Sequence, residues 1–118
     1  MKRDLDLGRK ILLKLEELPY NLGGHHFELE GYSPDQINYH LTLLEEAGLI
    51  EAINVSSHDG IGWLPQRLTW SGHDFLEASK DESRWEKAKR IVVEKGGGIA
   101  FDVLKKVLIT LMTKDVLG

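Results

Sequence analysis

The stretch Ser33–Ala52, SPDQINYHLTLLEEAGLIEA, decides the fold, because it reads as one capped helix running directly into an extended apolar segment. Ser33 is placed as the N-cap, Pro34 stands where a missing N–H costs nothing, and Gln36 lies where its side chain can bond back to the cap's own N–H. Loss of the Ser33 cap is expected to cost about 1 kcal/mol. Ile37, Leu41, Leu44 and Ala47 recur at spacings of three and four and define the core stripe, with His40 at its margin. Asp35, Asn38, Tyr39, Thr42, Glu45 and Glu46 fall on the other side and are expected to face solvent or a partner. Gly48 stops the helix, since glycine takes the left-handed conformation without a Cβ penalty.

Downstream, Leu49–Val55 reads as a strand, Ser56–Gly62 (SSHDGIG) as a turn and Trp63–Trp70 as the return strand of a hairpin. Pro65 cannot donate to a ladder and predicts an edge position or a bulge. Simple alternation puts Leu64, Gln66, Leu68 and Trp70 on one packed face. Ser71 is the expected cap of the next helix, with Asp74 at capping-box distance. Gly72–Lys95 contains no breaker and predicts one long helix, or two with a bend near Ser79–Ser83, with Glu86 and Arg90 spaced as an ion pair. Gly96–Gly98 interrupt the chain, and a last helix starts at Phe101.

Upstream, Asp4–Leu18 carries Leu5, Ile11, Leu12, Leu15 and Leu18 at helical spacing and ends before Pro19. Residues 19–32 are loop-like around Asn21, Gly23 and Gly24, and HFELEGY is read as a short strand pairing with the hairpin in preference to a degenerate middle helix. The fold class is therefore mainly α with a small β-hairpin, α+β. Residues 1–79 are expected to form the core and 80–118 a C-terminal helical extension, together one compact domain.

Composition narrows the function classes. The chain of 118 residues has no cysteine, so disulfide and thiolate–metal sites are excluded, and its formal net charge is −4. MKRDLDLGRK has charges where a signal peptide needs an apolar run, and Ile99–Leu117 is broken by five charged residues, Asp102, Lys105, Lys106, Lys114 and Asp115. A soluble, cytoplasmic protein without a membrane partner is the expectation. The histidines 25, 26, 40, 58 and 73 form no HExxH pattern, and KGGG at 95–98 lacks the Gly-Lys-Ser/Thr of a phosphate loop. A zinc site on His25, His26 and a hairpin carboxylate is the weakest alternative. No cofactor, no metal and no enzymatic activity are expected. In the last helix Leu104, Val107, Leu108, Leu111 and Met112 form an apolar face that is either packed on the same subunit or is the seam of a homodimer.

INYHLTLLEEAGLI (37–50) followed by RLTWSGHDFL (67–76) is similar to the recognition helix and wing exit of bacterial winged-helix repressors of the arsenic-sensor and PadR-like kinds. The resemblance covers about a third of the chain and implies a winged helix-turn-helix-like core, with Asn38, Tyr39 and Thr42 at positions that face DNA. Nearly the whole chain, through KRDLDL, GYSPDQINYHL, LLEEAGLIEA, RLTWSGHDFLEA, RWEKAK and KGGG with FDV, resembles the bacterial and prophage family called domain of unknown function 2513. That likeness implies a phage context and no activity.

Two functions follow as expectations. In the first the protein is a transcription-regulator-like binder of double-stranded DNA. Gln36 and Asn38 would read adenine, Tyr39 and Thr42 would touch phosphate or thymine methyl, and the hairpin would add His58 and Arg67. Lys2, Arg3, Arg9, Lys10, Arg84 and Lys87 would neutralise phosphates. In the alternative the same surface meets a basic host or phage protein. Charge divides them: residues 15–79 hold a single basic side chain, Arg67, against eleven acidic ones, whereas DNA affinity is built from Lys and Arg.

Overall fold

The first helix, α1 (Leu5–Glu17), starts at Asp4, whose carboxylate accepts from the Leu7 N–H at 3.1 Å. Its buried face is Leu7, Ile11, Leu12 and Leu15, joined by Arg9 at 8% exposure. The second helix, α2 (Pro34–Glu46), carries the full capping box: Ser33 Oγ accepts from Gln36 N–H at 3.1 Å and Gln36 Oε1 accepts from Ser33 N–H at 2.9 Å. Gly48 follows in the left-handed region with φ +74. β1 (Ile50–Asn54) and β2 (Trp63–Leu68) form a two-stranded antiparallel sheet. Glu51 pairs with Arg67 but Ala52 pairs with Pro65, so Gln66 is the extra residue of a bulge beside the proline.

The computed structural model describes residues 1–55, 62–94 and 100–117. The hairpin turn with His58 and the glycines 96–98 lie outside the described residues. Two compact units are present, residues 1–73 and 74–118, and the division falls inside α3 (Trp70–Ser79) where the sequence places it at 79/80. In the first unit α1 packs on α2 and β2, and α2 packs on both strands. The second unit holds the rest of α3, then α4 (Glu82–Glu94) and α5 (Phe101–Leu117), with α4 packed on α5. Its core is built on Trp85, which meets Phe75 edge-on at 6.3 Å, while Phe75 also contacts Phe101 at 5.1 Å. Asp81 caps α4 by accepting from Arg84 N–H at 2.8 Å, which divides 72–95 into two helices at the expected bend. Glu86 pairs with Lys89 at 3.2 Å, one residue short of the expected Arg90.

Several expectations need correction. His40 lies in the core at 3% exposure, whereas Ala47 is exposed and Leu44 only half-buried. Residues 19–32 form neither strand nor helix. This segment lies along β2 through one backbone bond, His25 N–H to Pro65 O at 2.8 Å, and through Gln66 Nε2–H to Leu22 O at 2.8 Å, so side-chain chemistry replaces a ladder. The bulge changes the parity of β2: Pro65 and Leu68 are buried, and Arg67 is exposed. Trp70 belongs to α3 and is 84% exposed, not packed on a hairpin face.

The cap of α3 is Thr69, not Ser71. Thr69 Oγ1 accepts from Gly72 N–H at 3.0 Å and donates to Gly48 O at 2.5 Å, while Thr69 N–H donates to Leu49 O at 2.9 Å. This draws the first residues of α3 so close to the α2–β1 junction that a Cβ on Gly72 would stand 2.0 Å from Leu49 O. At Gly48 a Cβ would meet nothing within 4 Å, and only the backbone conformation resists it. Gly72→Ala is therefore expected to lose about 3 kcal/mol or more by forced displacement, and Gly48→Ala about 1–2 kcal/mol. Chemical denaturation of the two variants checks the order.

Candidate functional site

The residues expected to read a partner are all in or beside α2, and most of their polar atoms turn out to be committed within the protein. Gln36 closes the capping box. Asn38 is half-buried and its Oδ1 accepts from the Trp63 N–H at 3.3 Å, tying α2 to the first residue of β2. Thr42 Oγ1–H donates to Asn38 O at 3.0 Å, one turn back. Periodicity puts Asn38 and Thr42 on the free face; the hairpin claims Asn38, and Thr42 is bonded within its own helix. Tyr39 alone of the four stays exposed, at 37%, with its ring edge-on to His40 at 5.6 Å. Besides Tyr39 and Pro34, α2 shows Asp35, Glu45 and Glu46 outward.

His40 explains the burial. Asp4 N–H donates to its Nε2 at 2.7 Å, so Nε2 must offer a lone pair, and Nδ1–H then donates to Gln36 O at 2.8 Å. One imidazole thus joins the start of α1 to the second turn of α2.

The basic candidates divide. Lys2 and Lys10 are exposed, as are Arg3, which has an interaction of its own, and Lys87 in the second unit. Arg9 is buried and engaged, and is not available to a phosphate. Arg84 is likewise committed: Nε–H donates to Asp115 at 3.1 Å and Nη1–H to Ala78 O at 3.0 Å, closing the end of α3. Arg67 forms a forked pair with Glu51, at 3.1 and 2.8 Å, and gives a third bond to Leu68 O at 3.0 Å. Its charge is cancelled across the strand pair. The dimer-seam candidates also divide, because Leu104 and Leu108 are fully buried and Val107, Leu111 and Met112 are half-buried. Exposed apolar positions on α5 are instead Val103, Ile109, Val116 and Leu117.

Sequence reasoning missed a groove of about 700 Å³ lined by the 26–34 segment, the first two turns of α2 and the start of β2. Phe27, Ile37, Leu41, Val55, Trp63 and Leu64 supply its apolar lining, with Asn38 and Tyr32 as polar members. On its rim are the exposed Glu28 and Glu30. Lys14, also on the rim, donates to Glu28 O and lies 5.0 Å from the Phe27 ring centre. Nothing in the pattern HHFELEGY announces a groove wall, because the segment has no regular period.

Lys10 fastens the same segment from α1 through its bond to Tyr32 Oη at 3.2 Å, and that bond is the main reason its ammonium is held above the ordinary value of 10.5. A folded value raised above the unfolded one contributes stability that is present below pH 10.5 and is lost as pH climbs through the folded value. Lys10→Met is accordingly expected to lower stability at neutral pH and to converge with the natural protein in strongly alkaline solution, a comparison made by denaturation at matched ionic strength.

Among the described residues no group of three or more His, Asp and Glu is placed to hold a metal, and no helix is long and apolar enough to cross a membrane. The architecture is that of a mainly helical α+β protein with a two-stranded hairpin. The chain belongs to the family described as Hypothetical protein (DUF2513), which matches residues 2–98. It is 35% identical over 115 residues to an uncharacterised protein of Haemophilus influenzae, covering 97% of this chain and 98% of the relative. No solved structure matches it.

Proposed function

We propose that residues 1–73 are a non-enzymatic binding module of winged-helix type, whose α2 surface docks on a basic protein partner. The observation that carries this reading is the state of α2. The amides suited to base edges, Gln36 and Asn38, have their acceptor oxygens bound to backbone N–H groups, and the outward side chains are Asp35, Tyr39, Glu45 and Glu46. Phosphates would meet three carboxylates there, and the Arg67 guanidinium on β2 is already paired with Glu51. A lysine- or arginine-rich protein surface meets attraction on the same face.

A second reading, a DNA-binding regulator, is favoured by one observation: Lys2, Lys10 and Tyr39 are all exposed in the first unit. The two readings separate in titrations of the full chain with a 30-base-pair duplex and with poly-lysine, followed by amide chemical shifts. The expected result is no duplex binding at low salt and poly-lysine shifts centred on Asp35, Tyr39, Glu45 and Glu46. The triple variant Asp35→Asn, Glu45→Gln, Glu46→Gln should weaken poly-lysine binding by about tenfold. Duplex binding with a steep salt dependence would overturn the acidic-face reading and establish the second.

A further inference from the structure

We propose that the groove beside α2 receives an extended peptide segment of the partner, with an apolar anchor side chain in the groove, a backbone carbonyl on Asn38 and a basic residue at the rim. This rests on the acidic-face reading and names where such a partner is gripped. The first observation is the orientation of the Asn38 amide. Because Oδ1 accepts from the Trp63 N–H at 3.3 Å, the amide cannot be turned over, and the Nδ2 hydrogens are its other end. Among the described residues they have no acceptor, and Asn38 lines the groove. Two donors against apolar walls suit a peptide carbonyl, which accepts without bringing a charge into the groove.

The second observation is the apolar lining. Phe27, Ile37 and Leu41 are at most 8% exposed and belong to the core, while Trp63 and Leu64 are half-buried at the groove. A space of about 700 Å³ is within the ordinary range for a bound side chain with its flanking backbone. The third is charge. Glu28 and Glu30 stand exposed on the rim; Glu28 Oε1 is already bonded to His26 Nε2 at 3.2 Å, and the rim's Lys14 donates to Glu28 O beside the Phe27 ring. The carboxylate left to a partner's charge is therefore that of Glu30, and the complementary residue is Lys or Arg.

The test uses the full chain, 15N-labelled, and two probes of equal charge, Ac-KKLKK-NH2 and Ac-KKAKK-NH2. The leucine peptide is expected to bind about fivefold or more tighter than the alanine peptide, since it alone fills the groove. It should shift the Asn38 side-chain NH2 pair and the Trp63 indole in the unaltered protein. Glu30→Gln should weaken it about twofold to fivefold while leaving the fold intact, because Glu30 is exposed. Equal affinity of the two peptides, or shifts confined to Asp35, Glu45 and Glu46, would overturn the groove and leave the acidic-face reading standing. Leucine-selective binding with Asn38 shifts that survives the triple α2 variant unchanged would uphold the groove and overturn the acidic face. Absence of binding by either peptide at millimolar concentration would overturn both.

Discussion

The His40 imidazole joins two helices that lie far apart in the chain, and the first unit depends on that link. Its lone pair takes the Asp4 N–H, one of the donors that a helix start leaves without a partner, while Asp4's own carboxylate takes the Leu7 N–H. Its other nitrogen donates its N–H to Gln36 O within α2. A neutral ring of one tautomer satisfies both groups, at a depth where an unpaired backbone donor costs about 1–3 kcal/mol. Ile37 and Leu41 flank it as the apolar part of the same face, and this fixes the rotation of α2 about its axis.

That rotation determines what the rest of α2 can do. With His40 inward, Asn38 and Thr42 fall on the flank beside the hairpin, where Asn38 serves as a backbone partner for Trp63. Tyr39 points outward, with Asp35, Glu45 and Glu46 exposed on the same helix. The winged-helix likeness assigns Asn38, Tyr39 and Thr42 one common role, facing DNA. Packing gives them three different roles: a strand tie, an exposed ring and a side chain bonded to its own helix.

Much of this was legible in advance where a single residue type has one local use. Ser33, Pro34, Gln36 and Gly48 mark the bounds of α2, Pro65 marks the bulge, and the split of 70–94 falls where Ser79–Ser83 weakens the helical pattern. The errors share a cause, which is that they depended on neighbours distant in sequence. His40 looked marginal because a polar ring on an apolar stripe reveals its burial only when Asp4 is seen opposite it. Arg9 and Arg84 looked like free cations because the groups that hold them come from tertiary structure. Thr69 and not Ser71 caps α3 because its decisive partners, Gly48 O and Leu49 O, lie about twenty residues upstream, beyond any local pattern. Residues 19–32 have no period at all, so the groove wall they form was invisible.

The most direct test of the account is the imidazole state of His40, read from long-range 1H–15N correlations of the folded protein near neutral pH. The structure predicts one slowly exchanging ring with its proton on Nδ1 and an unprotonated Nε2 that accepts a hydrogen bond from the Asp4 amide. A proton on Nε2, or a ring averaging freely between tautomers in water, would contradict the rotation of α2 and with it the assignment of every outward side chain on that helix.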